Sequence, residues 1–446
     1  MSLIASSKRL IVGAGPTGQA VARHFQDLGI QFEVADTRQS DVIKTAFENA
    51  FPGVATYFGP LKVDYLDRFE EIVVSPGIAP TTEGLNATTS PLISDIQVFR
   101  RAWPDHQRLV AITGSNAKST VTSLVAEILK ADGQDVLVGG NLGPQALDLL
   151  PDRTDKSIAV LELSSFQLER TRQLKATVAT CLNMSPDHLD WHGSMIAYHQ
   201  AKHRIFEGVG AIVVNGEDPL SQPLVPDQTP TIKFALQHPD FHRFGIMVVE
   251  GVDWICLGSE PWMPVDDLPM AGRHMIQNAM AAFGLCHLLG VEKSIMIAAA
   301  KSFQGLPHRM VELPPIRGIR CINDSKGTNV GASQTAVRSV VTAGRLVLLA
   351  GGESKGADLT QWAQTVKQHC DQVYVYGRDR DRFQVALGDQ ATVVDTLDDA
   401  VDQALGGASA GDVILFSPAC ASFDQFDNYQ KRGDHFIQLV EAHREV

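Results

Sequence analysis

Leu109-Val110-Ala111-Ile112-Thr113-Gly114-Ser115-Asn116-Ala117-Lys118-Ser119-Thr120 is a β-branched run that passes through a polar, glycine-containing turn. Val121, Leu124, Val125 and Ile128 follow at helical spacing, so the stretch predicts a strand, a tight loop and a helix. Backbone amides at such a helix start can cradle phosphate oxygens, and Lys118 supplies charge near the β and γ positions. Ser119 is placed to offer its hydroxyl to Mg²⁺. The loop departs twice from G-x-x-x-x-G-K-[ST], with Ile112 and Ala117 at the glycine positions. An alanine there costs little at negative φ but is crowded in a left-handed conformation.

Outward from this loop the same texture recurs: apolar run, glycine-rich turn, amphipathic helix. It starts afresh three times. The first unit opens with Leu10-Ile11-Val12 and includes Glu71-Ile72-Val73-Val74. The second contains the phosphate loop and Ile158-Ala159-Val160-Leu161. The third includes Ile319–Ile322, Leu346–Ala350, Val373–Tyr376 and Val413–Phe416. The alternation predicts an α/β fold of parallel sheets with crossover helices. At 446 residues the chain exceeds one ordinary core, and three domains are expected. Junctions within Pro91 to Pro104 and at Gly305-Leu306-Pro307 divide it into 1–97, 98–305 and 306–446. Pro219 to Pro269, rich in proline, reads as an irregular or antiparallel insertion.

Composition excludes several functions. The net charge of −13 argues against nucleic acid and anionic lipid as partners. No run is long and apolar enough to span a bilayer, and the N-terminus lacks the pattern of a secretory signal, so a cytoplasmic location is expected. The six cysteines are widely spaced with no C-x-x-C pair, which argues against disulfides and structural zinc.

Three further clusters carry chemistry. Gly13-Ala14-Gly15-Pro16-Thr17-Gly18 follows a strand and opens a helix, a turn that lets a diphosphate approach the backbone. With Asp36 at the place of a ribose-binding acid, it alone suggests an NAD-dependent oxidoreductase. Glu162, at the end of an apolar run, is a candidate metal ligand or a helix-initiating acid. Lys202 lies in Tyr198-His199-Gln200-Ala201-Lys202-His203-Arg204, which by composition is a basic, solvated helix face.

Taken in order, Gly114–Thr120, Gly140-Asn141-Leu142-Gly143, Glu162–Glu169, Asp187-His188-Leu189-Asp190, Leu306-Pro307-His308-Arg309, Asn323–Asn329 and Ser417–Phe426 resemble the Mur ligases. Within that family the set is most similar to the enzymes that add D-glutamate to UDP-N-acetylmuramoyl-L-alanine, and it covers nearly the whole chain. The resemblance implies a Rossmann-like N-terminal domain for the UDP-sugar, a P-loop-type central ATPase domain and a Rossmann-like C-terminal domain for the amino acid. It implies a bacterial, cytoplasmic and monomeric ligase of peptidoglycan precursor synthesis, with ATP and Mg²⁺ as cofactors and Mn²⁺ as a substitute. The implied chemistry is phosphorylation of the alanyl carboxylate to an acyl phosphate, then attack by the D-glutamate amine.

Residue by residue, the resemblance implies UDP-sugar contacts at Pro16, Thr17, Asp36, Thr37, Arg38, Ser75 and Gly77. Beside Gly114, Ser115, Asn116, Ala117, Lys118, Ser119 and Thr120, it implies Asn278, Arg309, Asp324 and Lys326 as ATP contacts. Thr328, Lys355, Ser422 and Phe423 match the D-glutamate pocket. Ser119, Glu162, His188 and Lys202 match metal ligands, Lys202 as a carbamate, because a cationic lysine cannot ligate a metal. Lys118, Asn141, His188 and Lys202 are the implied catalytic residues. Met275 interrupts the family's His-Asn pair ahead of Asn278. Two other readings compete: another amide ligase of the superfamily, such as a folylpolyglutamate synthase, and a nucleotide sensor without turnover.

Overall fold

The computed structural model describes residues 8–269 and 272–444. The chain is a three-domain α/β protein whose domains each carry one parallel-rich sheet. They form two compact units: one comprises the chain up to Met184 with Trp191–Asp267 and Gln277–Ser302, the other Ser185–Asp190, Leu268–Ile276 and the chain from Phe303 onward.

In the first unit, a five-stranded parallel sheet runs in the order Thr56–Phe58, Phe32–Asp36, Arg9–Val12, Glu71–Val74, Leu92–Ile93. Strand order reverses beside Arg9–Val12, so the crevice for a ligand lies at the carboxyl ends of this strand and Glu71–Val74. Gly13 and Ser75 stand at those ends. The helix Pro16–Asp27 packs closely there because Gly18 has no Cβ; one would overlap the Gly13 carbonyl.

The same unit holds a nine-stranded sheet. Its six central and edge strands Thr231–Phe234, Ala211–Asn215, Val178–Cys181, Leu109–Thr113, Ser157–Glu162 and Asp135–Gly140 are parallel neighbours in that order. Leu109–Thr113 is buried along its whole length, as expected of an inner parallel strand read as a continuous apolar run. The 219–269 stretch differs from expectation in one respect. Its antiparallel strands Arg243–Val249, Val252–Leu257 and Glu260–Pro264 do exist, but they prolong this sheet through Thr231–Phe234. The prolines concentrate at turns and on the edge strand, where a missing N–H costs little.

The second unit carries a six-stranded sheet: Val311–Ile316, Ile319–Asn323, Val413–Phe416, Leu346–Gly351, Gln372–Tyr376, Ala391–Val393. The first two strands form a hairpin and the rest are parallel. The carboxyl ends of Ile319–Asn323, Val413–Phe416 and Leu346–Gly351 therefore present three adjacent loops. All six cysteines are free and buried.

Candidate active site

The phosphate loop is built at two neighbouring strand ends. Leu109–Thr113 delivers Gly114, and the helix Lys118–Ala131 begins directly after Ala117. Asn183, just past Val178–Cys181, braces the loop: its carbonyl accepts the Ser115 amide at 2.9 Å and its Oδ1 accepts the Asn116 amide at 2.8 Å. Ser115 Oγ and the Tyr198 hydroxyl are 2.9 Å apart. Lys118 Nζ donates to Gly114 O at 2.9 Å and Ser115 O at 3.0 Å. Ser119 and Thr120 are buried in the first helical turn. Ala117 has φ 66°, ψ −4°, the left-handed conformation in which its methyl is crowded.

Lys202 is not on a solvated face. It is 2% exposed, and its ammonium donates to Gly114 O at 2.8 Å and Thr113 Oγ1 at 3.3 Å, 4.9 Å from the centroid of the Tyr198 ring. Composition misleads here because Tyr198, Ala201 and Lys202 share the buried face of Met195–His203, while Gln200 is exposed and His199 and His203 are half-buried.

Glu162 ends Ser157–Glu162 and is 1% exposed. Oε1 accepts the Asn141 side-chain amide at 2.5 Å, and the Asn141 backbone amide donates to Glu162 O at 2.8 Å. Oε2 is buried with no hydrogen-bond partner. The rest of that motif is scaffolding. Ser164 and Gln167 close a capping box at the start of Ser165–Glu169, Ser165 Oγ lies 3.0 Å from His192 Nε2, and Phe166 packs on Trp191 and His192.

Among the described residues no three His, Cys, Asp or Glu side chains cluster as a metal site. Ser119, Glu162 and Lys202 belong to the first unit and His188 to the second. His188 has φ 53°, with Nε2 3.5 Å from Asp187 Oδ2, which also takes the Asn329 amide at 3.3 Å. The fit of a magnesium ion rests on the orphaned Glu162 Oε2: a buried carboxylate oxygen lacking a donor is a cation ligand in waiting. Mg²⁺ needs few protein ligands because phosphates and water complete its shell.

At the N-terminal crevice, all acceptor positions of Asp36 are taken. Oδ2 accepts Ala14 N at 2.9 Å and Arg38 Nη2 at 2.7 Å; Oδ1 accepts Arg38 N and Nε, each at 2.9 Å. Burial alone would raise its pKa, but the Arg38 guanidinium and these amides hold it below the ordinary carboxylate range. No oxygen is left for a ribose diol, which removes the main support for NAD. Asp36 instead shapes the glycine turn and aims the half-exposed Arg38. Thr17 Oγ1 donates to Gln145 Oε1 at 2.9 Å, and Ser75 Oγ reaches Gly13 O at 3.4 Å. Pro16 and Gly77 are exposed and Thr37 half-buried around the same strand ends.

In the second unit, Asp324 is buried and accepts Ser417 Oγ at 2.7 Å. Burial pushes its pKa up to about 7, opposed by Ser417 and the Arg309 charge. Lys326 Nζ sits 3.9 Å from the Tyr429 ring centroid, and its amide donates to His308 O at 3.0 Å. Glu353 and Ala421 exchange backbone hydrogen bonds at 3.1 and 3.0 Å, which brings the loops bearing Lys355 and Ser422 side by side. Ser422 is buried, Lys355 exposed, Thr328 half-buried, and Phe423 is 65% exposed. Asn278 and Met275 are both buried on Arg273–Leu288. Asn183, Tyr198 and Tyr429 were missing from the sequence-derived set; the signal for Asn183 was its place at the end of a strand next to the phosphate-loop strand.

Three family models match: Mur ligase MurD-like, N-terminal domain over residues 7–94; Mur ligase middle domain over 112–286; and Mur ligase, glutamate ligase domain over 308–420. A UDP-N-acetylmuramoylalanine--D-glutamate ligase of Pseudomonas savastanoi is 45% identical, covering 99% of this chain and 100% of that one. The Pseudomonas aeruginosa enzyme of the same name is 42% identical, covering 99% of each. Among solved structures, the UDP-N-acetylmuramate-alanine ligase of Thermotoga maritima aligns with a TM-score of 0.61 at 18% identity, covering 98% of this chain and 99% of that one. The MurF ligase of the same organism, solved with ADP, gives 0.62 at 14%, covering 100% and 99%.

Proposed function

The chain belongs to the Mur ligase family, an ATP-dependent amide-forming family, and from that premise we propose that it joins D-glutamate to UDP-N-acetylmuramoyl-L-alanine in bacterial peptidoglycan precursor synthesis, as a cytoplasmic monomer. The observation that carries the reading is the phosphate loop with its neighbour Glu162, whose Oε2 is buried and unpaired. Full-length relatedness to enzymes of that name supports the choice of D-glutamate.

The chemistry follows from the difficulty of the reaction. A carboxylate is a poor acylating agent, so its oxygen must first become a leaving group. In our reading the alanyl carboxylate takes the γ-phosphoryl group of ATP, and the amine of D-glutamate attacks the acyl phosphate and expels phosphate. Catalysis then consists of bringing anions together and stabilising the transferring group. Lys118 leaves the carbonyls of Gly114 and Ser115 for phosphate oxygens, and the amides of the loop stay fixed by Asn183. Asn141, held by Glu162, orients the reacting carboxylate.

Ser119, Glu162 and the carbamate of Lys202, all of the first unit, would hold magnesium, which supplies positive charge against the phosphates. A carbamate keeps one N–H, enough to retain the bond to Gly114 O, while two anionic oxygens extend beyond it. Residues 1–97 would bind the UDP-sugar through Thr17, Thr37, Arg38 and the Ser75–Gly77 turn. Residues 98–305 and 306–446 would bind ATP and the amino acid, with Asn278 toward adenine, Arg309, Asp324 and Lys326 toward phosphates and ribose, and Lys355 pairing a glutamate carboxylate. The substrate test is a comparison of D-glutamate, L-glutamate and diamino acids. Strong preference for D-glutamate is expected, and equal rates overturn the assignment.

A further inference from the structure

The side chain of Arg432, in helix Tyr429–Ala442, is buried at 1% exposure. Its Nε donates to Ser325 Oγ at 3.1 Å. Nη2 donates to Ser325 O at 2.8 Å and to Cys420 O at 3.1 Å. The guanidinium lies 5.9 Å from the centroid of Phe416. It also faces Tyr376, whose hydroxyl, like Arg432 Nη1, is buried without a hydrogen bond of normal geometry. The next residue completes the contact. A Cβ on Gly433 would overlap the His308 ring, and Gly433 O accepts the Asn323 amide at 3.0 Å.

A buried arginine is a costly packing element, and an apolar residue of similar volume would serve stability as well or better. The placement of its donors gives it another use. Ser325 lies between Asp324 and Lys326, whereas Cys420 lies two residues before Ser422. One planar fork therefore spans two loops that leave different strands, and a fork holds distance and angle together as a flexible ammonium cannot. The aromatic ring over Lys326 comes from the same helix start, at Tyr429.

We propose that Arg432 is a positioning residue for the ligation, fixing the nucleotide-side loop Asp324–Lys326 against the amino-acid-side loop Cys420–Phe423. The proposal rests on the ligase reading given above. The two sites are then built as one piece, and loosening the fork loosens both. It touches neither substrate.

The experiment compares wild type, Arg432→Lys and Arg432→Met by steady-state phosphate release, varying ATP, D-glutamate and the UDP-sugar separately. In Arg432→Met the KM for ATP and for D-glutamate should both rise about tenfold, the effect of one lost charged hydrogen bond, while that for the UDP-sugar stays within about twofold. Arg432→Lys should fall between, and millimolar guanidinium should recover part of the loss in Arg432→Met. Unchanged KM values, a rise for one substrate only, or an equal rise for all three overturn the proposal. Should Arg432→Met not fold, Ser325→Ala, which removes the acceptor of Nε and the donor to Tyr429 O, must raise the same two KM values together, and their constancy overturns it. Wild-type chain that releases no phosphate with D-glutamate overturns the ligase reading itself and the proposal with it.

Discussion

Lys118 and Lys202 converge on one acceptor: Gly114 O receives both ammonium groups, at 2.9 and 2.8 Å. One comes from the phosphate-binding helix and the other from Met195–His203, so the first carbonyl of the loop is held from both sides. The two lysines have different tasks in our account. Lys118→Ala should lower kcat by about 10²–10³, the scale for losing one donor to a developing charge, and acetate should not restore it. Lys202→Ala should be equally impaired, but a short carboxylate such as acetate should restore part of the rate by standing in for the carbamate. Full activity of Lys202→Ala, or no response to acetate, would count against carbamylation.

The left-handed Ala117 carries a cost that glycine avoids. Ala117→Gly should stabilise the chain by about 1 kcal/mol without raising the KM for ATP. Thermal unfolding of the two proteins checks this, and a lower Tm for the glycine variant would contradict it.

Glu162 keeps one oxygen on Asn141 and leaves the other unpaired. Glu162→Gln preserves shape and an acceptor while removing the charge. The magnesium concentration for half-maximal rate should rise at least about tenfold, a scale reached even by residues one step further from a metal. Its Tm should not fall, since a buried carboxylate with an unsatisfied oxygen has been neutralised.

Asp324, raised by burial from 3.8 to about 7, makes the C-terminal half sensitive to pH. The folded chain holds this proton more tightly than the unfolded one. Folding therefore takes up a proton between about pH 4 and pH 7, and this contribution to stability is lost as pH rises through that window. Ribose hydroxyls donate to the ionised form, so the KM for ATP should fall as pH rises through about 7. Asp324→Asn should flatten both dependences; a variant that keeps them would show that another group is responsible.

Much of this was legible in the sequence because parallel strands announce themselves. Leu10–Val12, Leu109–Thr113, Ile158–Leu161 and Val413–Phe416 are continuous apolar runs, and each is a strand. The phosphate loop and Glu162 stand at strand ends, where such sheets bind ligands. Legibility failed where a residue's neighbours come from afar. Lys202 has the composition of a surface residue, and only the packing of its helix on the loop buries it. Asp36 has the position of a ribose ligand, yet Arg38, two residues on, occupies its oxygens. Arg432 sits in a polar helix, and its burial depends on Gly433 admitting the His308 ring. Local pattern carries no record of those partners.

ATP-driven ligation of D-glutamate to UDP-N-acetylmuramoyl-L-alanine is tested by measuring phosphate release and labelled D-glutamate incorporation in one reaction, with each substrate omitted in turn. Both should require all three substrates and appear in equal amounts. Phosphate release that ignores D-glutamate, or incorporation without ATP, would contradict it.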